Sequence, residues 1–147
     1  MKETPLSEIT LRKYEKPYEM NKRELVKKIC LSLGLLQPGD SRDIAVDILL
    51  VLLEAKKEKK ELDSDKIREL AIKSREKANL ELKGIAESNI RRQLKKLRDL
   101  FIIEKQNNLY KITEFSNLNE VFEKKIENFY LPEILGRVKE YLNALEK

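Results

Sequence analysis

Within residues 84–113, GIAESNIRRQLKKLRDLFIIEKQNNLYKIT, the hydrophobic period changes once, and that change limits what the chain can fold into. Ile90, Leu94 and Leu97 fall at i, i+4 and i+7, which lines up one apolar stripe on a helix. At about 100° per residue the opposite face carries Ser88, Asn89, Arg92, Lys95, Lys96 and Asp99, with Arg91 and Arg98 on the flank. From residue 101 the pattern shortens. Residues 101–105 and 109–113 are brief runs rich in aromatic and β-branched side chains, joined by Gln106-Asn107-Asn108. Asparagine tolerates the positive φ that tight hairpin turns need, so this stretch reads as a basic helix running into a β-hairpin.

Charge follows the same map. The chain has 31 Lys and Arg against 26 Asp and Glu, a net charge of +5. Residues 83–106 hold seven basic side chains (83, 91, 92, 95, 96, 98, 105) and three acidic ones (87, 99, 104). Residues 12–28 again hold seven against three, whereas residues 114–147 hold five against seven. The positive field therefore lies on the helix of residues 88–100 and the N-terminal arm, the footprint expected of a polyanion binder.

The words ESNIRRQLKKLRDLFIIEK, a helix opened by small polar residues and followed directly by a hairpin, resemble the recognition helix and wing of winged helix-turn-helix proteins of the prokaryotic or archaeal transcriptional-regulator type. The resemblance covers about 70 residues, 43–114. It implies that the exposed helix face enters the major groove of double-stranded DNA and that the hairpin touches backbone or minor groove. On that resemblance the helix from Ser88 would bind DNA, with Asn89, Arg92 and Lys96 meeting base edges, while Arg91, Lys95, Arg98, Lys105, Gln106, Asn107 and Asn108 would lie along phosphates. Two departures stand out: Leu100-Phe101 occupies the turn where the family commonly holds glycine, and residues 79–86 make a longer connection than an ordinary helix-turn-helix.

The rest of the chain supplies the frame: mostly α with a small β-hairpin, a winged helix-turn-helix core flanked by N-terminal and C-terminal helices. The expected divisions are an N-terminal helical arm (1–40), a winged-helix domain (41–115) and a C-terminal helical region for dimerisation (116–147). Pro5 and Pro17 bracket a short helix or a partly ordered arm. Residues 21–36 predict an amphipathic helix capped by Asn21, with Leu25, Val26, Ile29 and Leu33 on one side and Cys30 beside them as a small hydrophobe. Gln37-Pro38-Gly39-Asp40 is a turn; Asp40 or Ser41 then caps a helix to about residue 59 whose centre, 44–53, is apolar nearly all round. Asp63 or Ser64 caps the next helix through Ser74, and Arg75, Lys77 and Lys83 follow in a polar connection, solvated or reaching phosphates.

C-terminal apolar positions Leu118, Val121, Phe122, Ile126 and Phe129 mark one helix, and beyond Pro132 a seam continues through Leu135, Val138, Leu142 and Leu145. This is either two helices or one kinked helix, with Gly136 open to close approach by another. The seam predicts a homodimer through Leu131, Leu135, Val138, Leu142 and Leu145, or packing onto the N-terminal helices.

Several classes drop out. With no histidine and one cysteine, His-based triads, histidine or cysteine zinc sites and internal disulfides are excluded. None of the four glycines sits in a phosphate-binding loop pattern, and nothing calls for a cofactor, a metal or an enzyme. No apolar leader opens the chain, and the aliphatic run 48–53 is too short for a bilayer, so a cytoplasmic protein with no membrane partner is expected. Abundant Lys and Glu with little Gln is a thermophile's composition. The expected function is a dimeric double-stranded-DNA-binding transcriptional regulator. The alternative is a winged-helix module for protein contacts within a transcription, replication or chromatin assembly. A small-molecule signal would have to enter between helices.

Overall fold

The computed structural model describes residues 3–147, so Met1 and Lys2 of the expected arm lie outside the described residues. The protein is mostly α-helical with one small antiparallel hairpin. Helices α1 (Lys22–Ser32), α2 (Ile44–Lys57), α3 (Ser64–Lys77) and α4 (Glu87–Asp99) precede strands β1 (Ile103–Gln106) and β2 (Leu109–Ile112). A single helical turn, α5 (Leu118–Val121), leads into a π-helical stretch (Phe122–Tyr130) and then α6 (Leu131–Leu145).

Helix α2 is the centre, as its apolar circumference requires. Ile44, Val46, Ile48, Leu49 and Leu52 are buried, and α3, α4 and the hairpin close around them with Ile67, Ala71, Ile90, Leu94, Leu97 and Ile112. Its start is later than the capping residues predict. Asp40 accepts the N–H of Arg42 at 2.9 Å, spending its side chain on the turn, and the helix begins at Ile44. Helix α1 keeps its Asn21 cap, where the side chain accepts the N–H of Glu24 at 2.8 Å. Its inner face is Val26 and Cys30 rather than the whole predicted stripe; Leu25 is 42% exposed. Burial pushes the Cys30 thiol up to about 12, with Asp43 adding to the effect, so it packs as a hydrophobe.

All four of these helices end the same way. The residues after their caps, Gly34, Lys59, Asn79 and Phe101, have φ between 52° and 73°, and the next N–H returns to a carbonyl in the last turn. That is the Schellman motif, whose left-handed position suits glycine best. Only α1 has a glycine there. A Cβ at Gly34 would stand 2.6 Å from the Cβ of Thr10, so the arm also needs that glycine to lie close. The early stop at Gly34 is why α1 falls short of Leu36.

The N-terminal arm forms no helix between Pro5 and Pro17: residues 3–20 run irregularly across the ends of α1 and α4. Backbone hydrogen bonding comes instead from tertiary partners. The Arg12 N–H donates to the Ser32 carbonyl at 2.9 Å, and its guanidinium donates to the carbonyls of Leu31 (2.7 Å) and Leu36 (3.2 Å). Tyr130 Oη both accepts from the Glu8 N–H and donates to the Glu8 carbonyl.

Arg75 corrects a second expectation. It does not belong to the connection after α3; it lies in the last turn of α3, 2% exposed. Its Nη1 donates to Asp43 Oδ1 (2.8 Å) and Asp47 Oδ2 (2.9 Å), and Nε donates to the Glu81 carbonyl (2.7 Å). Asp47 also accepts from Ser74 Oγ at 2.8 Å and from the Arg23 guanidinium. Three helices thus meet at one ionic cluster. Burial drives Asp47 above its ordinary value against the pull of Arg75, Ser74 and Arg23. At Asp43 burial also pushes up, but the Arg75 hydrogen bond and charge, with Lys27, outweigh it and hold the carboxyl below its ordinary value. A depressed folded value contributes stability that is complete above the unfolded value near about pH 4 and is lost as pH falls through the folded one. Asp43→Asn should therefore flatten the acid side of a urea-midpoint curve measured from about pH 6 to pH 2.5. An acid limb as steep as wild type would assign acid sensitivity to other carboxylates.

The C-terminal helix is continuous: Val121, Tyr130 and Leu131 all keep helical φ and ψ, so Pro132 does not divide it into two helices. The turns before Pro132 are widened, with the Leu131 N–H donating to the Ile126 carbonyl five residues back. A wider turn moves the preceding carbonyls off the proline ring, which would clash with a residue four back in an α-helix. Among the described residues, no atom beyond its chain neighbours and its own helix backbone lies within 4 Å of where a Cβ at Gly136 would stand. Among the described residues no helix is long and apolar enough to cross a membrane.

Candidate nucleic-acid interface

Helix α4 rests on Ile90, Leu94 and Leu97, each at most 1% exposed, so its other side is fixed outward. Ser88, Arg91, Arg92, Lys95, Lys96 and Arg98 are all exposed along that side. Two of the cations have local partners: Arg91 lies 3.8 Å from Glu87, and Lys95 lies 3.1 Å from Asp99. Both pairs are solvated, so each holds its cation weakly. Arg92, Lys96 and Arg98 form no ion pair among the described residues.

Asn89 departs from the expected set. Its Nδ2 donates to the Gly84 carbonyl at 2.7 Å, and its Oδ1 accepts from Arg92 (3.2 Å) and Gln93 (3.1 Å). The amide is half-buried and spent inside the chain, which removes it from the groups free to meet a base. Gly84 has φ +74°, and a Cβ there would come within 3.0 Å of the Asn89 amide. The connection of residues 79–86 is pinned at three points: Arg75 to Glu81, Asn89 to Gly84, and Arg68 Nε to the Ile85 carbonyl at 2.6 Å. Extra length in this helix–helix connection is therefore held by side chains. Lys83 lies there, exposed and 3.0 Å from Glu81; Lys77, like Arg75, is still within α3.

The hairpin turn is the two residues Asn107 and Asn108, with φ of 52° and 63°. Two positive φ values make a turn whose twist matches the strands, and asparagine is among the few side chains suited to it. Lys105, Gln106, Asn107 and Asn108 are exposed at this tip, with Lys105 Nζ 5.6 Å from the Tyr110 ring centre. A pair of hydrogen bonds ties the hairpin down elsewhere. The Leu62 N–H donates to the Tyr110 carbonyl (3.0 Å), and the Tyr110 N–H donates to the Leu62 carbonyl (2.7 Å). The hairpin is thereby anchored to the α2–α3 connection.

The joint between helix and hairpin is Phe101, φ +63°, in the place of the expected glycine. Such a conformation costs a non-glycine residue about 1–3 kcal/mol. Its ring meets Phe129 (6.2 Å) and Tyr130 (5.4 Å) edge to face, and its carbonyl accepts from Thr113 Oγ1 at 2.6 Å. Packing offsets the strain, and the same contacts link the end of α4 to the π-helical stretch. Sequence reasoning missed Arg68, Arg75 and this role of Phe101. One signal existed: Asp47 stands inside an apolar run, and a buried acid needs a cation.

No residue of α6 is buried. Leu135, Val138, Leu142 and Leu145 are each at least half exposed, and Leu131 is half-buried at the start. Among the described residues the only extensive contact of α6 is with the π-helical stretch it continues, so its apolar seam does not pack extensively onto the N-terminal helices described. Among the described residues no three metal-ligating side chains converge. No protein-family model matches the chain, and neither a curated protein nor a solved structure shows significant similarity to it.

Proposed function

We propose that the protein is a winged helix-turn-helix regulator that binds double-stranded DNA as a dimer. The observation that carries this reading is the row of exposed cations on α4, three of them in no ion pair among the described residues, beside an anchored hairpin with an asparagine tip. A fold hosts many functions, so the weight rests on this surface and not on the architecture. In the proposed complex the exposed face of α4 lies in the major groove. Arg92 and Lys96 meet base edges, where a guanidinium pairs in two-pronged fashion with guanine. Arg91, Lys95, Arg98 and the tip residues Lys105 to Asn108 contact phosphates, which set register without reading sequence. The α6 seam joins two copies into a symmetric pair.

The test is titration of a fluorescent random duplex against salt, followed by selection of a preferred sequence. Affinity should fall steeply with salt, because each neutralised phosphate releases counterions. On the selected duplex Arg92→Ala should cost about 1–3 kcal/mol and relax preference at one base position, whereas Lys105→Ala should weaken all sequences alike. Equal effects of both changes on every sequence would sink the base-reading assignment. A protein inert at low salt would sink DNA binding altogether and leave the protein-contact reading, for which the bare apolar face of α6 is the favouring observation.

A further inference from the structure

Helix α1 has a second apolar face that the core does not use. Leu25 and Ile29 turn away from Val26 and Cys30 and line a cavity of about 530 Å³ between the irregular arm, α1 and the start of the C-terminal helix. Leu11 and Tyr14 form the arm's wall, and Ile102 and Phe122 close the far side. A space of this size with mostly apolar walls is in the range that holds small molecules.

The charges around it decide the ligand class. Arg12 has no carboxylate partner among the described residues, but its guanidinium is turned to neutral acceptors, donating to the Leu31 and Leu36 carbonyls and to Gln37 Oε1 (2.9 Å). Lys28 Nζ holds Glu15 at 2.6 Å and sits over the Tyr14 ring, 4.6 Å from its centre. Lys28 and Glu15 thus hold each other, and Arg12 spends its hydrogen bonds on neutral groups. An ionic ligand would lose its hydration and would have to break one of these sets of contacts to gain a counter-charge, which is unfavourable.

We infer that this cavity is a binding site for an uncharged, largely apolar small molecule. Its walls include Ile102, which follows directly on the end of α4, and Phe122, which opens the π-helical stretch. A bound molecule would therefore touch the segment that follows the basic helix and the start of the C-terminal helix. The inference does not depend on the DNA reading, since it rests on the cavity alone.

The neutral probe N-phenyl-1-naphthylamine tests it on the full chain. Its fluorescence should rise saturably with one site per chain, and decanol should displace it while decanoate should not. Ser32→Leu fills the cavity and should weaken probe binding about tenfold with the circular dichroism unchanged. If Ser32→Leu does not fold, Leu25→Glu at the half-open rim takes its place with the same expected loss. Lys73→Met, on the exposed face of α3 and outside the cavity lining, should leave probe affinity unchanged. Absence of saturable binding, affinity within about twofold of wild type in the cavity variant, loss in Lys73→Met, or equal displacement by decanoate would each overturn the assignment.

Discussion

Arg75→Met is expected to lower the stability of the fold by about 3–5 kcal/mol, the usual consequence of removing one partner from a buried ion pair. Methionine nearly matches the volume, so the loss would come from charge. Asp43 would keep only Lys27, at 3.4 Å and half exposed, and Asp47 would keep only Arg23 and Ser74. The Glu81 carbonyl would lose its donor as well, freeing one of three pins on the connection between α3 and α4. Urea unfolding of the variant should show a much lower midpoint with the slope retained. Lys73→Met removes an exposed cation from Glu69 on the same helix and is the control. If both variants shift the midpoint equally, the ionic cluster does not hold α1, α2 and α3 together.

Leu142→Asp is expected to halve the sedimentation mass, from twice the chain's 17.3 kDa to one copy. In a two-fold pair the same residue faces its own copy or lies near it, so one change acts twice. Each leucine withdrawn from water contributes about 1.5–3 kcal/mol, and an aspartate in its place would bring two like charges into an apolar seam. Within the chain the residue is 57% exposed, so the melting temperature of the fold itself should barely move. An unchanged mass would place the interface elsewhere. A wild-type protein that sediments as one copy at micromolar concentration would remove the dimer from the proposal.

Local pattern carried the parts of the fold that depend on period and turn chemistry. The stripe Ile90, Leu94, Leu97 is buried, the two asparagines make the hairpin turn, and the apolar helix of residues 44–53 is the centre. Features set by distant partners were not legible. Arg75 looks like one more surface cation until α2 brings Asp43 and Asp47 against it from 32 and 28 residues away. Prolines in the arm suggested a helix, but Arg12 offers its backbone and guanidinium to the end of α1, and an extended path wins. Asn89 reads as a groove-facing amide from spacing alone; only the left-handed turn at Gly84 puts a carbonyl within its reach. At the candidate interface the cations were therefore visible in sequence, and the scaffold that holds them still was not.

The π-helical stretch sets the bearing of everything beyond it. Residues Phe122–Tyr130 complete fewer turns than nine residues of α-helix would, so the azimuth of the α6 seam depends on hydrogen-bond register here as much as on the heptad-like spacing of its leucines. Passing from one register to the other by a single residue would swing Leu135, Val138 and Leu142 around the axis by about 100° while leaving their spacing untouched. Two copies joined along that seam would then present their basic helices at a different mutual angle. The pitch of the proposed assembly would thus be set by a stretch that belongs neither to the seam nor to the basic helix.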